Sequence, residues 1–224
     1  AHFAGARYRK TTKEEMMGVT SVFSCAGVDK KTFITYADKK SATYADWGKS
    51  WDQTTSGKED HLKTPYLQSE FEEARQKGLI PNQLTDLSGS WSAVSDAGEA
   101  TNLNLVHMKG YDGTNVRDLT AAEMEGRSQV LHALTALKHC VPGFEKAKLR
   151  NLSMTLGVRD TRKIIGKYNL TRQDVLEQGR MTDSIGIFPE FIDGYNILIL
   201  PTTGRYFQVP YGCLVPEVVD NLLV

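Results

Sequence analysis

The 224-residue chain lacks an excess of charge of either sign, because 27 lysines and arginines balance 27 aspartates and glutamates. Proteins that bind nucleic acid or lie on anionic membranes generally need a basic excess or patch, so this balance argues against both partners. No apolar run approaches the roughly 18 to 20 residues that a membrane-spanning helix needs, and no signal-peptide pattern opens the sequence. We therefore expect a cytoplasmic protein without a membrane partner.

Cysteine is also scarce, with only Cys25, Cys140 and Cys213 in the whole chain. The three are far apart and form no CxxC pair, so the sequence contains neither a zinc cluster nor a dithiol redox motif. His132 and His139 stand seven residues apart, whereas metal ligands on a helix usually stand four apart. The sequence therefore predicts free thiols and no metal site.

Nucleotide-binding and hydrolytic motifs are absent as well. The chain contains no GxGxxG and no GxxxxGK[ST], the two glycine-rich patterns that hold phosphates at the start of a helix. HExxH, GxSxG and EF-hand loops are missing too. These residues therefore hold no dinucleotide or P-loop phosphate cradle of their own.

Hairpin-like strand pairs alternate with helices along the chain. Alternating or β-branched segments predict strands at 16–28, 91–95, 100–109, 149–158, 196–200 and 206–211. Helix patterns and caps predict helices that start at Asp29, at Thr64 with Pro65, at a capping box of Thr120 and Glu123, and at Thr171 with Asp174. Residues 41–63 are expected to form a long irregular connection. This order predicts an α+β fold with a mixed, mostly antiparallel sheet and flanking helices, rather than a βαβ repeat.

A stretch at 149–170 combines an alternating segment with a charged cluster. Leu152, Met154, Leu156 and Val158 alternate with small or polar residues, as in a half-buried strand. Arg159, Asp160, Arg162 and Lys163 follow directly, and guanidinium forks at a strand end can clamp a carboxylate or phosphate. A surface ion-pair network is the other interpretation, and on the pattern alone it is the commoner case.

Other residues are weaker candidates for a site. His107 lies on an apolar strand face, where a hydrogen-bonded core histidine is commoner than a catalytic one. Tyr206 and Tyr211 flank Pro210, and their phenols could donate to a substrate oxyanion or line a flat ring. Simple strand packing explains these two tyrosines equally well.

Three phrases together resemble the FAD-dependent oxidoreductases. GVRDTRKIIGKYNLTRQDV at 157–175 is similar to the internal signature of that family, and DGTNVRDLTAAEMEGRSQ at 112–129 and YFQVPYGCLVPEVVDNLLV at 206–224 agree with it in order and spacing. The resemblance implies a Rossmann-type FAD domain into which a substrate domain is inserted. This chain resembles the inserted substrate-binding (cap) domain, a single domain over 1–224 whose ends, 1–10 and 218–224, are remnants of the FAD-binding domain.

The resemblance also implies which domain binds FAD and which binds the substrate. FAD is expected in the full-length protein, held by the chain's own FAD-binding domain, and the fragment alone should not bind it tightly. The full enzyme would act on a small-molecule substrate, and this domain would form the roof of the active site over the flavin. The alternative is a non-catalytic binding or interaction module with the same fold.

The family motif also suggests site residues. Arg159 and Arg162 resemble the substrate- or flavin-facing arginines of the signature, and together with Tyr211 they are the predicted catalytic residues. Tyr168, Tyr206 and His107 are the predicted substrate-binding residues.

Overall fold

The computed structural model describes residues 1–39, 67–194, 197–199 and 205–224. They form two compact units. The terminal unit contains residues 1–17 and the described part of 161–224, and the central unit contains the described residues of 18–39 and 67–160. The predicted connection at 41–63 and the predicted helix start at Thr64 and Pro65 lie outside the described residues.

The central unit contains a four-stranded antiparallel sheet in the order β4-β5-β3-β7. Its strands are β3 (Phe23–Ala26), β4 (Ala93–Val94), β5 (Ala100–Leu103) and β7 (Lys148–Leu152). A separate antiparallel pair joins β2 (Val19–Thr20) to β6 (His107–Met108). Short strands of this kind expose one face, so their stability depends on the helices packed beside them.

Three helices accompany this sheet: α1 (Lys30–Ala37), α2 (Gln68–Gln76) and α3 (Val116–Cys140). Asp29 caps α1, as predicted, because its carboxylate accepts the Thr32 N–H at 3.1 Å. The apolar face of α2 is buried, and its residues Phe71 and Ala74 are fully shielded from solvent. The helices and the sheet together enclose one apolar cluster, which includes Phe23, Phe33, Phe71, Leu103, Leu137 and Phe144.

The terminal unit is built from three two-stranded antiparallel pairs and a short helix. β1 (Tyr8–Lys10) pairs with β8 (Arg162–Ile164), β9 (Ser184–Pro189) with β12 (Tyr206–Pro210), and β10 (Ile192–Gly194) with β11 (Ile197–Ile199). Helix α4 (Arg172–Leu176) starts at Thr171 with Asp174, as predicted, and the two residues form a capping box. Among the described side chains of this unit, Ala6, Met16, Val175 and Phe207 are the buried hydrophobic ones.

The predicted fold class is confirmed, since helices mix with small sheets and every strand pair among the described residues is antiparallel. The strands predicted at 196–200 and 206–211 appear as β11 and β12. The strand predicted at 16–28 is divided into β2 and β3, and the strand predicted at 100–109 is divided into β5 and β6. None of the described helices is long and apolar enough to cross a membrane.

The predicted strand over 149–158 was wrong beyond Leu152. β7 ends there because its partner β3 begins at Phe23, which lies opposite Leu152, so the ladder has no further strand to follow. Ser153 bonds to the Val22 carbonyl instead, and Met154 is 95% exposed rather than buried. A single bridge between Gly157 and Thr20 is all that continues the pairing.

The capping box predicted at Thr120 and Glu123 was also wrong. α3 begins one turn earlier, because the Asn115 side chain accepts the Arg117 N–H at 2.9 Å and caps the helix. Inside the helix the Thr120 hydroxyl donates to the Val116 carbonyl at 2.8 Å, and Glu123 is paired with Arg127. Thr120 and Glu123 therefore match the Ser/Thr-x-x-Glu pattern at positions inside the helix, where they do not cap it.

Candidate functional site

A cleft of about 830 Å³ opens in the terminal unit. Its lining combines charged, phenolic and apolar side chains, among them Lys167, Tyr168, Asp183, Tyr211, Asn221 and Leu223. The segments after β8, before β9 and after β12 all contribute to it. Clefts of this size with a few polar groups on an apolar surface are the usual form of a small-molecule site.

Backbone hydrogen bonds hold the two principal walls of this cleft together. The Tyr168 N–H donates to the Gly212 carbonyl at 3.1 Å, and the Lys167 N–H donates to the Val215 carbonyl at 2.8 Å. Gly166 makes this close approach possible, since a Cβ there would lie 2.8 Å from the Tyr168 carbonyl oxygen and 2.9 Å from that of Gly212. The walls are therefore fixed by main chain rather than by mobile side chains.

The Tyr168 phenol is oriented by the cap of α4. Its hydroxyl donates to Asp174 Oδ1 at 2.8 Å, while Asp174 Oδ2 accepts the Thr171 N–H and hydroxyl, both at 2.7 Å. The hydrogen bond to Asp174 raises the pKa of Tyr168, so the phenol stays protonated. Since its proton is committed to Asp174, its oxygen is left to act as an acceptor.

Tyr211 has a different setting, although it lines the same cleft. Its N–H donates to the Asp183 carbonyl at 2.9 Å, and the next residue, Gly212, donates its N–H to Asp183 Oδ2 at 3.1 Å. The Tyr211 side chain is 45% exposed, and its hydroxyl makes no hydrogen bond within the described residues. The phenol is thus held at its backbone and open at its tip, as a donor to a bound molecule must be.

Lys167 supplies the cleft with a cation. It is exposed and has no ion-pair partner in the described part of the chain. Neither Lys167 nor Asp183 was predicted from the sequence, although Lys167 directly precedes Tyr168 in the segment 157–175 that resembles the family signature. Its position beside a predicted site tyrosine was the available signal, whereas nothing local marks Asp183.

The two predicted catalytic arginines belong to different units. Arg162 lies in β8 of the terminal unit, where its guanidinium stands 5.6 Å from the centre of the Tyr8 ring and its buried Nε has no hydrogen-bond partner in the structure. Arg159 lies in the central unit and donates to the Gly18 carbonyl at 3.2 Å. Neither arginine lines the cleft.

Tyr206 and His107 do not line the cleft either. The Arg180 guanidinium lies 4.2 Å from the centre of the Tyr206 ring, in cation–π geometry. His107 is half-buried in the central unit, and its Nε2 is 3.2 Å from the Asn104 carbonyl oxygen. Burial, and secondly the charge of Arg159, lower the pKa of His107. Of the six predicted site residues, the cleft therefore brings together Tyr168 and Tyr211.

The described residues contain no group of three or more His, Cys, Asp or Glu side chains that could hold a metal ion. In the comparison with protein families, the chain matches the family described as FAD dependent oxidoreductase over residues 1–224. No curated protein matches it, and no solved structure does.

Proposed function

The chain belongs to the FAD-dependent oxidoreductase family, and we propose that it supplies the substrate-binding domain of such an enzyme. In this proposal it forms the roof of the active site over a flavin that another part of the protein holds. The observation that carries the proposal is the cleft of the terminal unit, which joins Tyr168 and Tyr211 to Lys167, a cation without an ion pair in the described ranges.

The family implies FAD in its full-length members. FAD-binding folds hold the pyrophosphate on a glycine-rich turn that joins a parallel strand to a helix. Every strand pair in the described ranges is antiparallel, and their four helices start from Asp29, Leu67, Asn115 and Thr171 rather than from such a turn. These residues therefore do not fit a role in cradling the FAD pyrophosphate.

What the chain contributes in this proposal is binding and orientation of the substrate. The Lys167 ammonium would attract an anionic or strongly polar group, and the Leu223 side chain would cover an apolar part. The Tyr211 hydroxyl would donate a hydrogen bond to a substrate oxygen, as a positioned phenol can in general acid catalysis. Tyr168, held by Asp174, would accept one. Arg159, Arg162, Tyr206 and His107 remain proposals that rest on the family motif and the sequence pattern.

The proposal is tested on the protein expressed with its flanking sequence. We expect it to bind FAD, to show flavin absorbance, and to lose that absorbance when substrate reduces the flavin. A protein that stays colourless when supplied with FAD would contradict the oxidoreductase role. A flavin that binds but is not reduced by any substrate that the cleft binds would instead support the alternative, a non-catalytic binding module.

A further inference from the structure

A second concavity lies in the central unit, at the end of the sheet where β3 pairs with β7. Its volume is about 500 Å³, and six residues line it: Ala26, Gly27, Lys138, Lys146, Ala147 and Lys148. Three of the six are lysines, and no other charged side chain lines it. None of these residues lines the cleft of the terminal unit. The pocket is therefore a separate feature with a chemistry of its own.

The three lysines reach the pocket from different elements. Lys148 opens β7 and lies opposite Ala26 in the ladder, Lys138 is in the last turn of α3, and Lys146 precedes β7. Gly27 lets these segments approach, because it has a φ of 79° and a Cβ there would lie 2.8 Å from the Lys146 carbonyl oxygen. Lys146 and Lys148 are two residues apart in one segment, and the fold brings Lys138 of α3 to them.

Their charges are not neutralised within the described residues. Lys138, Lys146 and Lys148 are exposed, and none of them has an ion pair there. Arg150, two residues after Lys148 on β7, does have one, since its Nε lies 3.2 Å from Glu99 Oε1. The carboxylate of Glu145, beside Lys146 in sequence, accepts the Gly143 N–H at 3.1 Å with each oxygen. Glu145 forms no ion pair with Lys146 or any other described residue.

An ordinary structural role accounts for one of these cations. A lysine in the last turn of a helix interacts favourably with the negative end of the helix dipole, and Lys138 occupies that place in α3. Lys146 and Lys148 are not in a helix, so this reason does not extend to them. Like charges gathered around a concavity repel each other, and a bound anion would remove that repulsion.

We propose that this pocket binds a phosphate-bearing anion, with Lys138, Lys146 and Lys148 as its cationic contacts. Lysine ammonium groups act as point charges, and a phosphate group gathers more negative charge in a small volume than a single carboxylate does, so three converging ammonium groups attract it more strongly. No arginine lines the pocket. The phosphate can belong to a free pyrophosphate or to a phosphomonoester carried by a larger molecule, and the two are separated by experiment.

The test is a titration of the 224-residue chain with sodium pyrophosphate and with glycerol 3-phosphate, at constant ionic strength, followed by calorimetry and by amide NMR. We expect saturable binding, with shifts concentrated at 26–27, 138 and 146–148. Tighter binding of pyrophosphate would identify a free diphosphate as the ligand class, and tighter binding of glycerol 3-phosphate a phosphomonoester.

Variants distinguish this pocket from the general surface. Lys146→Ala and Lys148→Ala should each weaken binding about threefold to fivefold, as the loss of one exposed charged contact does. Lys148→Arg should retain most of it. The matched control is Lys31→Ala, which removes an exposed lysine that does not line the pocket.

Three results would overturn the proposal. The first is the absence of saturable binding with either phosphate compound. The second is an equal loss of affinity in Lys31→Ala, which would mean nonspecific attraction to the surface. The third is citrate binding as tightly as pyrophosphate, which would mean that the pocket does not select phosphate. Circular dichroism of each variant confirms that the fold is retained.

Discussion

Tyr211 is the residue whose proposed role is easiest to isolate, because its hydroxyl is open while its backbone is fixed by Asp183. In the flavin-containing protein, Tyr211→Phe should leave FAD bound and lower kcat/KM by about a hundredfold, the usual range for a lost acid or base catalyst. Stopped-flow reduction of the flavin by substrate measures this. Tyr8→Phe is the control, since Tyr8 does not line the cleft. Equal rates in the wild type and Tyr211→Phe would remove Tyr211 from the chemistry.

Arg159 has a separate test, since the resemblance to the family motif predicts it as a site residue and the structure places its guanidinium against the Gly18 carbonyl. We expect Arg159→Ala to leave FAD bound and to lower turnover, because the motif assigns it to the substrate or flavin face. Arg162→Ala is predicted to behave in the same way. Unchanged kcat/KM in both variants, measured with FAD content as the control, would exclude the pair from the site.

His107 reports on Arg159 through its titration. Burial is the first cause of its lowered pKa and the Arg159 charge is the second, so Arg159→Gln should raise the pKa of His107 toward its ordinary value of 6.5. NMR titration of the imidazole C–H signals measures the change.

The lowered pKa of His107 also makes the stability of the fold depend on pH. Because the folded pKa of His107 lies below the unfolded value of 6.5, the unfolded chain binds the proton more readily. The His107 contribution is therefore complete above pH 6.5 and is lost as the pH falls from 6.5 toward the folded pKa. Urea unfolding of the wild type and Arg159→Gln should show a smaller loss in the variant over this range.

Among the described glycines with ordinary backbone angles, Gly157 has the least room for a side chain. A Cβ there would lie 2.2 Å from the Thr20 Oγ1 atom, and Thr20 is only 4% exposed. Gly157→Ala should lower the free energy of unfolding by about 1–3 kcal/mol, as overpacking does. Gly186→Ala, whose nearest neighbour would be 3.7 Å away, should cost much less. If Thr20→Ala fails to reduce the cost of Gly157→Ala, steric contact is not the cause.

At the scale of elements, two residues compete as the N-cap of α3: Asn115, which caps it in the structure, and Thr120, which the sequence pattern predicted. Asn115→Ala should lower the free energy of unfolding by about 1 kcal/mol, because its side chain holds the Arg117 N–H. Thr120→Ala should change it little, because its hydroxyl bonds inside a formed helix. Chemical denaturation of the two variants compares them, and a larger effect at Thr120 would restore the sequence-based start.

These elements also show which predictions a sequence can support. The caps at Asp29 and Thr171 were predicted correctly, because each is a bond within four residues of chain. The cap at Asn115 was missed, because a second pattern that resembles a cap lies one turn later. β7 ends at Leu152 for a reason that its own sequence does not contain, namely that β3 begins at Phe23.

At the scale of the whole molecule, stability should be unequal between the two units. All members of the large apolar cluster belong to the central unit, and the described part of the terminal unit buries four hydrophobic side chains. We therefore expect amides of β3 and α3 to exchange with deuterium more slowly than those of β9 and β12. Mass spectrometry of the exchanging chain measures this, and equal protection would indicate one cooperative unit.

The residues of the candidate cleft could not be grouped from local sequence patterns either. Tyr168 and Tyr211 are distant in sequence, and the backbone bond between Tyr168 and Gly212 is what brings them to one cleft. Arg159 and Arg162 are almost adjacent in sequence, yet the boundary between the units falls between Asp160 and Thr161. The two arginines of one contiguous motif therefore belong to different units, and their shared site stays a prediction.

Each unit closes on itself where the chain passes between them. In the central unit Thr20 and Gly157 exchange two backbone hydrogen bonds, and in the terminal unit Lys10 lies opposite Arg162. The central unit is therefore inserted into the terminal unit, and its first and last segments are hydrogen-bonded neighbours. Every described strand pair of the terminal unit has both strands within that unit. Insertions whose two ends lie close together are generally tolerated, because they leave the surrounding unit's own pairing intact. Among the described residues, the cleft around Tyr168 and Tyr211 is therefore lined by the terminal unit alone, and that unit shares no strand pair with the central one.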